Sequence, residues 1–93
     1  MRIVALTVEI EILEADSLKD KRQVVRSLLE RARNKFNVSA AEVDQQDVWR
    51  RATLGFSAVS NDGKLLEHVM DRVLALIDSE PRCVVLEQVR ERF

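Results

Sequence analysis

Side chains capable of chemistry are few in this chain and poorly grouped. His68 is the only histidine and Cys83 the only cysteine among 93 residues. Neither an internal disulfide nor a cysteine-based zinc site can therefore form, and His68, beside Leu66 and Val69, has no second histidine to complete a metal site. Ser39 and Ser57 carry no sequence signature of a nucleophile, and His68 is the only histidine base they could use. Glu42, Asp44 and Asp47 invite a reading as a metal site or acid/base pair, but their spacing fits no calcium loop and no glycine marks the turn. Solvated hairpin acids are the plainer account. These residues imply no catalytic group, no metal and no cofactor. An enzyme survives only in weak form, as a small-molecule cavity between helices and sheet with no named reaction.

One side-chain type is concentrated, and it is cationic. Between Leu18 and Phe36 stand Lys19, Lys21, Arg22, Arg26, Arg31, Arg33 and Lys35, against the acids Asp20 and Glu30. With a formal net charge of -1 for the whole chain, this segment is about five charges positive and the remainder about six negative. The total excludes a grossly basic nucleic-acid binder, but the distribution permits a local patch. At about 100° per residue on a helix, Lys19, Arg22, Arg26 and Arg33 fall within roughly a 60° arc. Arginines grip phosphate oxygens in forked geometry, so this stripe is the candidate RNA contact. The competing reading is a solvated helix face whose long stems cover the core edge. Arg50 and Arg51 extend the patch if they lie on the same side of the domain, which sequence does not fix.

The elements that must position these residues follow from periodicity. From Arg2 to Glu14 apolar residues alternate, with Val4, Leu6, Val8, Ile10 and Ile12 on one face and Thr7, Glu9 and Glu11 on the other, a strand buried on one side. Ser17 and Asp20 resemble a capping box, and Leu18, Val25, Leu28, Leu29, Ala32 and Phe36 form the apolar stripe of a helix. Val38–Val43 and Ala52–Ser60 read as two hairpin strands. The first is irregular, because Glu42 falls on the same side as Val38 and Ala40, which a bulge or an early strand end would relieve. Asn61-Asp62-Gly63 supplies turn and cap chemistry for a second helix carrying Leu66, Val69, Met70, Val73 and Ile77. Pro81 follows it, and Cys83–Val89 is a last strand.

This order predicts one α+β domain over residues 1–93, a ferredoxin-like βαββαβ sandwich with a four-stranded antiparallel sheet and two helices on one face. The right-handed crossover rule places the first and third strands in the centre. No apolar run approaches the ~20 residues of a membrane span. Met1-Arg2 leads directly into strand alternation rather than a signal-peptide core. The expectation is a soluble cytoplasmic protein with no membrane partner.

The residues Ser17-Leu18-Lys19-Asp20-Lys21-Arg22, Asn37-Val38-Ser39-Ala40-Ala41-Glu42-Val43-Asp44 and Trp49-Arg50-Arg51-Ala52 carry a family resemblance. Across essentially its full length the chain resembles the YlxP-like family of small bacterial proteins of unknown function. The resemblance implies a ferredoxin-like fold and supplies no activity and no catalytic residues. Genes of that family often lie near those for translation initiation and ribosome maturation, which points by association to an RNA or ribosome-associated partner.

Two other surfaces remain. The uncovered sheet face, where ferredoxin-like RNA-recognition domains stack bases on aromatics, here offers Thr7, Glu9, Gly55 and Ser57, so stacking of that kind is disfavoured. It suits a second protomer or another protein, or else lies in water. Trp49, the only tryptophan, lies near the hairpin tip, either as a partner-contact anchor or folded back over the core edge. The sequence thus favours a non-catalytic domain contacting RNA or a ribonucleoprotein through its first helix. A protein-interaction or homodimerisation module using the open sheet face and hairpin is the alternative.

Overall fold

Strict alternation at the start of the chain produces β1 (Arg2–Ile12), in which every second residue from Val4 to Ile12 is buried. The computed structural model describes all 93 residues, Met1 to Phe93. β1 stops two residues short of the Glu14 limit expected from the pattern, because Glu14 turns the chain with a positive φ of 59°. Ser17 then caps α1 (Leu18–Lys35), its hydroxyl accepting from the Asp20 N–H at 3.1 Å. The Asp20 carboxylate reaches back to the Asp16 N–H at 3.1 Å. The capping box thus closes one residue earlier than the usual pattern, as the shorter Asp side chain takes the Glu position.

β2 (Ser39–Asp44) and β3 (Arg51–Ser60) form the hairpin. Asp62 caps α2 (Gly63–Asp78) by accepting from the Lys64 and Leu65 N–H groups, and β4 (Cys83–Arg92) completes the chain. The strands lie in the order β2-β3-β1-β4 with every neighbour antiparallel, so β1 and β3 are central as the crossover rule requires. This is the ferredoxin-like α+β arrangement. Both helices lie on the face presented by Leu6, Val8, Ile10, Leu54 and Phe56, which packs on Val25, Leu28, Ala32, Leu66, Met70 and Val73.

β4 runs three residues further than its apolar pattern suggests. Glu9 pairs with Glu87 and Ile10 with Val85, leaving Leu86 as an extra residue. Beyond this bulge Arg90 and Arg92 sit opposite Leu6 and Val4. Both positions face the helices, and both guanidinium groups find carboxylates there. Arg90 lies 3.1 Å from Glu67 and 2.9 Å from Asp71, and Arg92 lies 2.8 Å from Glu67. Ion pairs with α2 take the place of apolar burial at this end of β4, and Arg92 and Arg90 hold the Glu67 carboxyl below its usual pKa.

Candidate nucleic-acid interface

Lys19, Arg22, Arg26 and Arg33 all project from α1 into solvent. None of the four is within ion-pair distance of a carboxylate. At 1.5 Å per residue the row extends over about 21 Å. Its side of the domain is fixed by Arg33, whose guanidinium donates to the Ala40 carbonyl on the outer rim of β2. The stripe expected from the sequence therefore exists as a row of cations without ion-pair partners along the β2 side, with the exposed Glu30 between Arg26 and Arg33.

Not every cation of α1 belongs to it. Lys21 is fully buried, in the midst of the apolar stripe. Its ammonium donates to the carbonyls of Gln45 and Gln46 and lies 2.9 Å from Glu42 Oε2. That carboxylate oxygen makes this ionic contact and no directional hydrogen bond. The inward direction of Glu42 is thereby explained. It is a partner for a buried lysine rather than a solvated acid, and the bulge beside it, between Glu42 and Asp44, lets the strand turn away immediately afterwards. Arg31 leaves the row as well. It lies on the opposite side of α1 and pairs with Glu80.

Glu80 sits between α2 and β4 with its side chain only 5% exposed. Arg82 bonds it through its backbone N–H, Nε and Nη2, and Arg31 adds a further bond, so the carboxyl titrates at about 2. Its pairing is structural, joining α1 to the start of β4.

The two arginines of the hairpin diverge. Arg50 Nε donates to the Ala15 carbonyl at 3.1 Å, and its guanidinium lies 3.9 Å from Asp16. It reaches the N-terminal end of α1, beside the row, but already engaged. Arg51 precedes the inward-facing Ala52, so it points to the opposite sheet face, where it pairs with Glu9 at 2.9 Å. It does not join the stripe. Trp49 is 52% exposed at the hairpin tip and is not folded under the core edge.

The other residues singled out by type do not converge. Ser39 and Ser57 are opposite one another across β2 and β3 on the open face, while His68 is exposed on α2, with the sheet between them. The Asp44 carboxylate accepts from the Gln45 N–H, Asp47 is exposed, and Glu42 turns inward. Cys83 is buried, and burial raises its thiol pKa, which keeps it protonated and unreactive. No helix is long and apolar enough to cross a membrane.

On the open sheet face, Gly55 brings the β3 backbone under the side chain of Val43. A Cβ there would lie 2.9 Å from Val43 Cγ1. A shallow depression of about 330 Å³ surrounds this point, bordered by Ala5, Thr7, Ser39, Ala41 and Ser57. Val43, Val59 and Val89 are about half exposed on the same face, with Glu9 and Glu87 towards one end.

A basic helix flank and a tethered hairpin thus stand on a ferredoxin-like sheet. Residues 3–90 match the family described as "Protein of unknown function (DUF503)", and the chain belongs to this family. It is 49% identical over 70 residues to "Uncharacterized protein YlxP" of Bacillus subtilis (strain 168), covering 75% of this chain and 76% of that protein.

Proposed function

We propose that this protein is a non-catalytic cytoplasmic domain that binds RNA, free or within a ribonucleoprotein, through the exposed flank of α1. The observation supporting this reading is the row Lys19, Arg22, Arg26 and Arg33, exposed and without carboxylate partners in a chain whose other arginines are largely consumed by carboxylates. Phosphate neutralisation releases counterions, so affinity for a structured RNA falls steeply as salt rises. Each phosphate contact adds about 0.7–0.9 to the log–log slope. Reversing Arg22 and Arg26 to Glu abolishes tight binding and flattens that slope by roughly 1.5. Binding absent at low salt, or indifferent to the double reversal, removes the reading.

Val43, Val59 and Val89 on the open sheet face favour a second reading, a docking site for a protein or for another protomer. Sedimentation at micromolar concentration separates the two for self-association. A strict monomer eliminates a stable homodimer and leaves the RNA reading intact.

A further inference from the structure

We propose that the hairpin tip and α1 form one composite site for RNA bearing an unpaired base, the base stacking on Trp49 while its flanking phosphates run along Lys19, Arg22, Arg26 and Arg33. This inference rests on the RNA reading above and specifies what kind of RNA the site takes.

Two tethers bring the tip to the N-terminal end of α1, where the basic row begins. Lys21 Nζ holds the carbonyls of Gln45 and Gln46 on one limb of the loop, and Arg50 Nε holds the Ala15 carbonyl from the other. Lys19 and Arg22 lie within about 5 Å of Lys21 along the axis of α1, on its exposed flank, while Lys21 points beneath the helix to the loop. Fixed on both limbs, the loop cannot swing away from them freely. Trp49 is therefore an aromatic surface half open to solvent, one residue from the Arg50 tether to the N-terminal end of α1.

Charge then decides which part of a nucleotide meets which part of the site. The tip offers no free cation, since Arg50 is engaged with Ala15 and Asp16, and it exposes the carboxylate of Asp47. A phosphate is repelled there, whereas a neutral base finds an indole face. Along α1 the reverse holds, since the four cations outnumber the exposed acids Asp20 and Glu30 and no aromatic stands among them. The other aromatics cannot substitute for Trp49. Phe56 is buried in the core, Phe36 is partly buried with the Arg72 guanidinium 5.6 Å above its ring, and Phe93 follows β4 at the far edge of the sheet. A duplex keeps its bases stacked on one another, so the site favours single strands, loops and bulges.

The test uses the full chain, a 12-nucleotide single-stranded RNA and a duplex of equal length. The chain contains no tyrosine, so its near-ultraviolet emission reports Trp49 alone. Anisotropy of labelled RNA provides a second measure of binding. The single strand is expected to quench Trp49 saturably and the duplex is not. Trp49→Ala weakens single-strand binding about tenfold, in keeping with loss of one base–aromatic stack, while duplex affinity and the salt slope stay unchanged. RNA binding that leaves Trp49 emission and the Trp49→Ala affinity unaltered overturns the composite site but not the basic row. Failure of both RNAs to bind at low salt overturns the RNA reading itself. A shift in Trp49 emission with polyglutamate but not with RNA assigns the tip to an acidic protein partner and also overturns the proposal.

Discussion

The two sides of α1 use the same residue types in opposite ways. On the β2 side, Lys19, Arg22, Arg26 and Arg33 stand in solvent without a carboxylate. Beneath the helix and towards α2 and β4, Lys21 and Arg31 are consumed by Glu42 and Glu80. Arg82, just before β4, and Arg90 and Arg92 on it continue the second pattern, each paired with Glu80 or Glu67. Cationic content alone is therefore a poor guide to a polyanion site. Angular position on the helix, and what lies opposite it, divide charge that binds the fold together from charge left available to a partner.

Substitutions should separate the two groups by which property they damage. The largest effect on folding is expected at Lys21. Lys21→Ala leaves Glu42 without its cation and two loop carbonyls without a donor, and should lower unfolding free energy in urea by about 3–5 kcal/mol. Replacing both partners, with Lys21→Met and Glu42→Leu, recovers much of that loss, since apolar pairs of similar volume commonly match buried ion pairs. Additive effects of the two changes in a double-mutant cycle would dissolve the proposed coupling.

Glu80 comes next. Its folded pKa of about 2 lies below the ordinary value of 4.5. As pH falls between these values, the unfolded chain takes up a proton that the folded chain refuses, so the stabilisation present near neutrality is lost on acidification. With Arg31 and Arg82 partly open to solvent, about 2 kcal/mol is expected. Glu80→Gln should remove a comparable amount at pH 7 and flatten the acid limb of the melting-temperature profile between pH 5 and 2. An unaltered limb would show that another carboxylate controls it.

The smallest effect on stability belongs to the free row. The Arg22→Glu, Arg26→Glu protein should unfold within about 0.5 kcal/mol of the parent while losing RNA affinity. If it unfolds much earlier, those side chains hold the fold and the contrast between the two sides fails.

Most of the fold was legible from periodicity, because alternation in β1 and the stripe of α1 each allow one burial pattern. The Lys21–Glu42 pair was visible only as two separate anomalies. Lys21 occupies the middle of the arc set by Leu18, Val25, Leu28 and Ala32, and Glu42 shares the inward side of β2 with Ala40. Each violates its own pattern, and only stacking α1 over β2 brings them together. Arg51 was readable by parity, since the residue before inward Ala52 must point outward. Glu80 gave no comparable signal. A glutamate before Pro81 looks like an ordinary helix end, and its burial depends on arginines from α1 and β4 arriving from distant parts of the chain. The basic row was legible in full because it needs only the helix itself, whereas the fate of Arg50 required the hairpin's placement.

The enclosure of Lys21 makes it a built-in clock. An amine-reactive acylating reagent modifies Lys19 directly, but reaches the ε-amine two residues later only in molecules whose loop has lifted off the helix. The ratio of the two acylation rates, read by peptide mass, therefore counts those transient excursions without any label or mutation. A ligand seated across both segments would slow the clock, whether or not it touches the lysine.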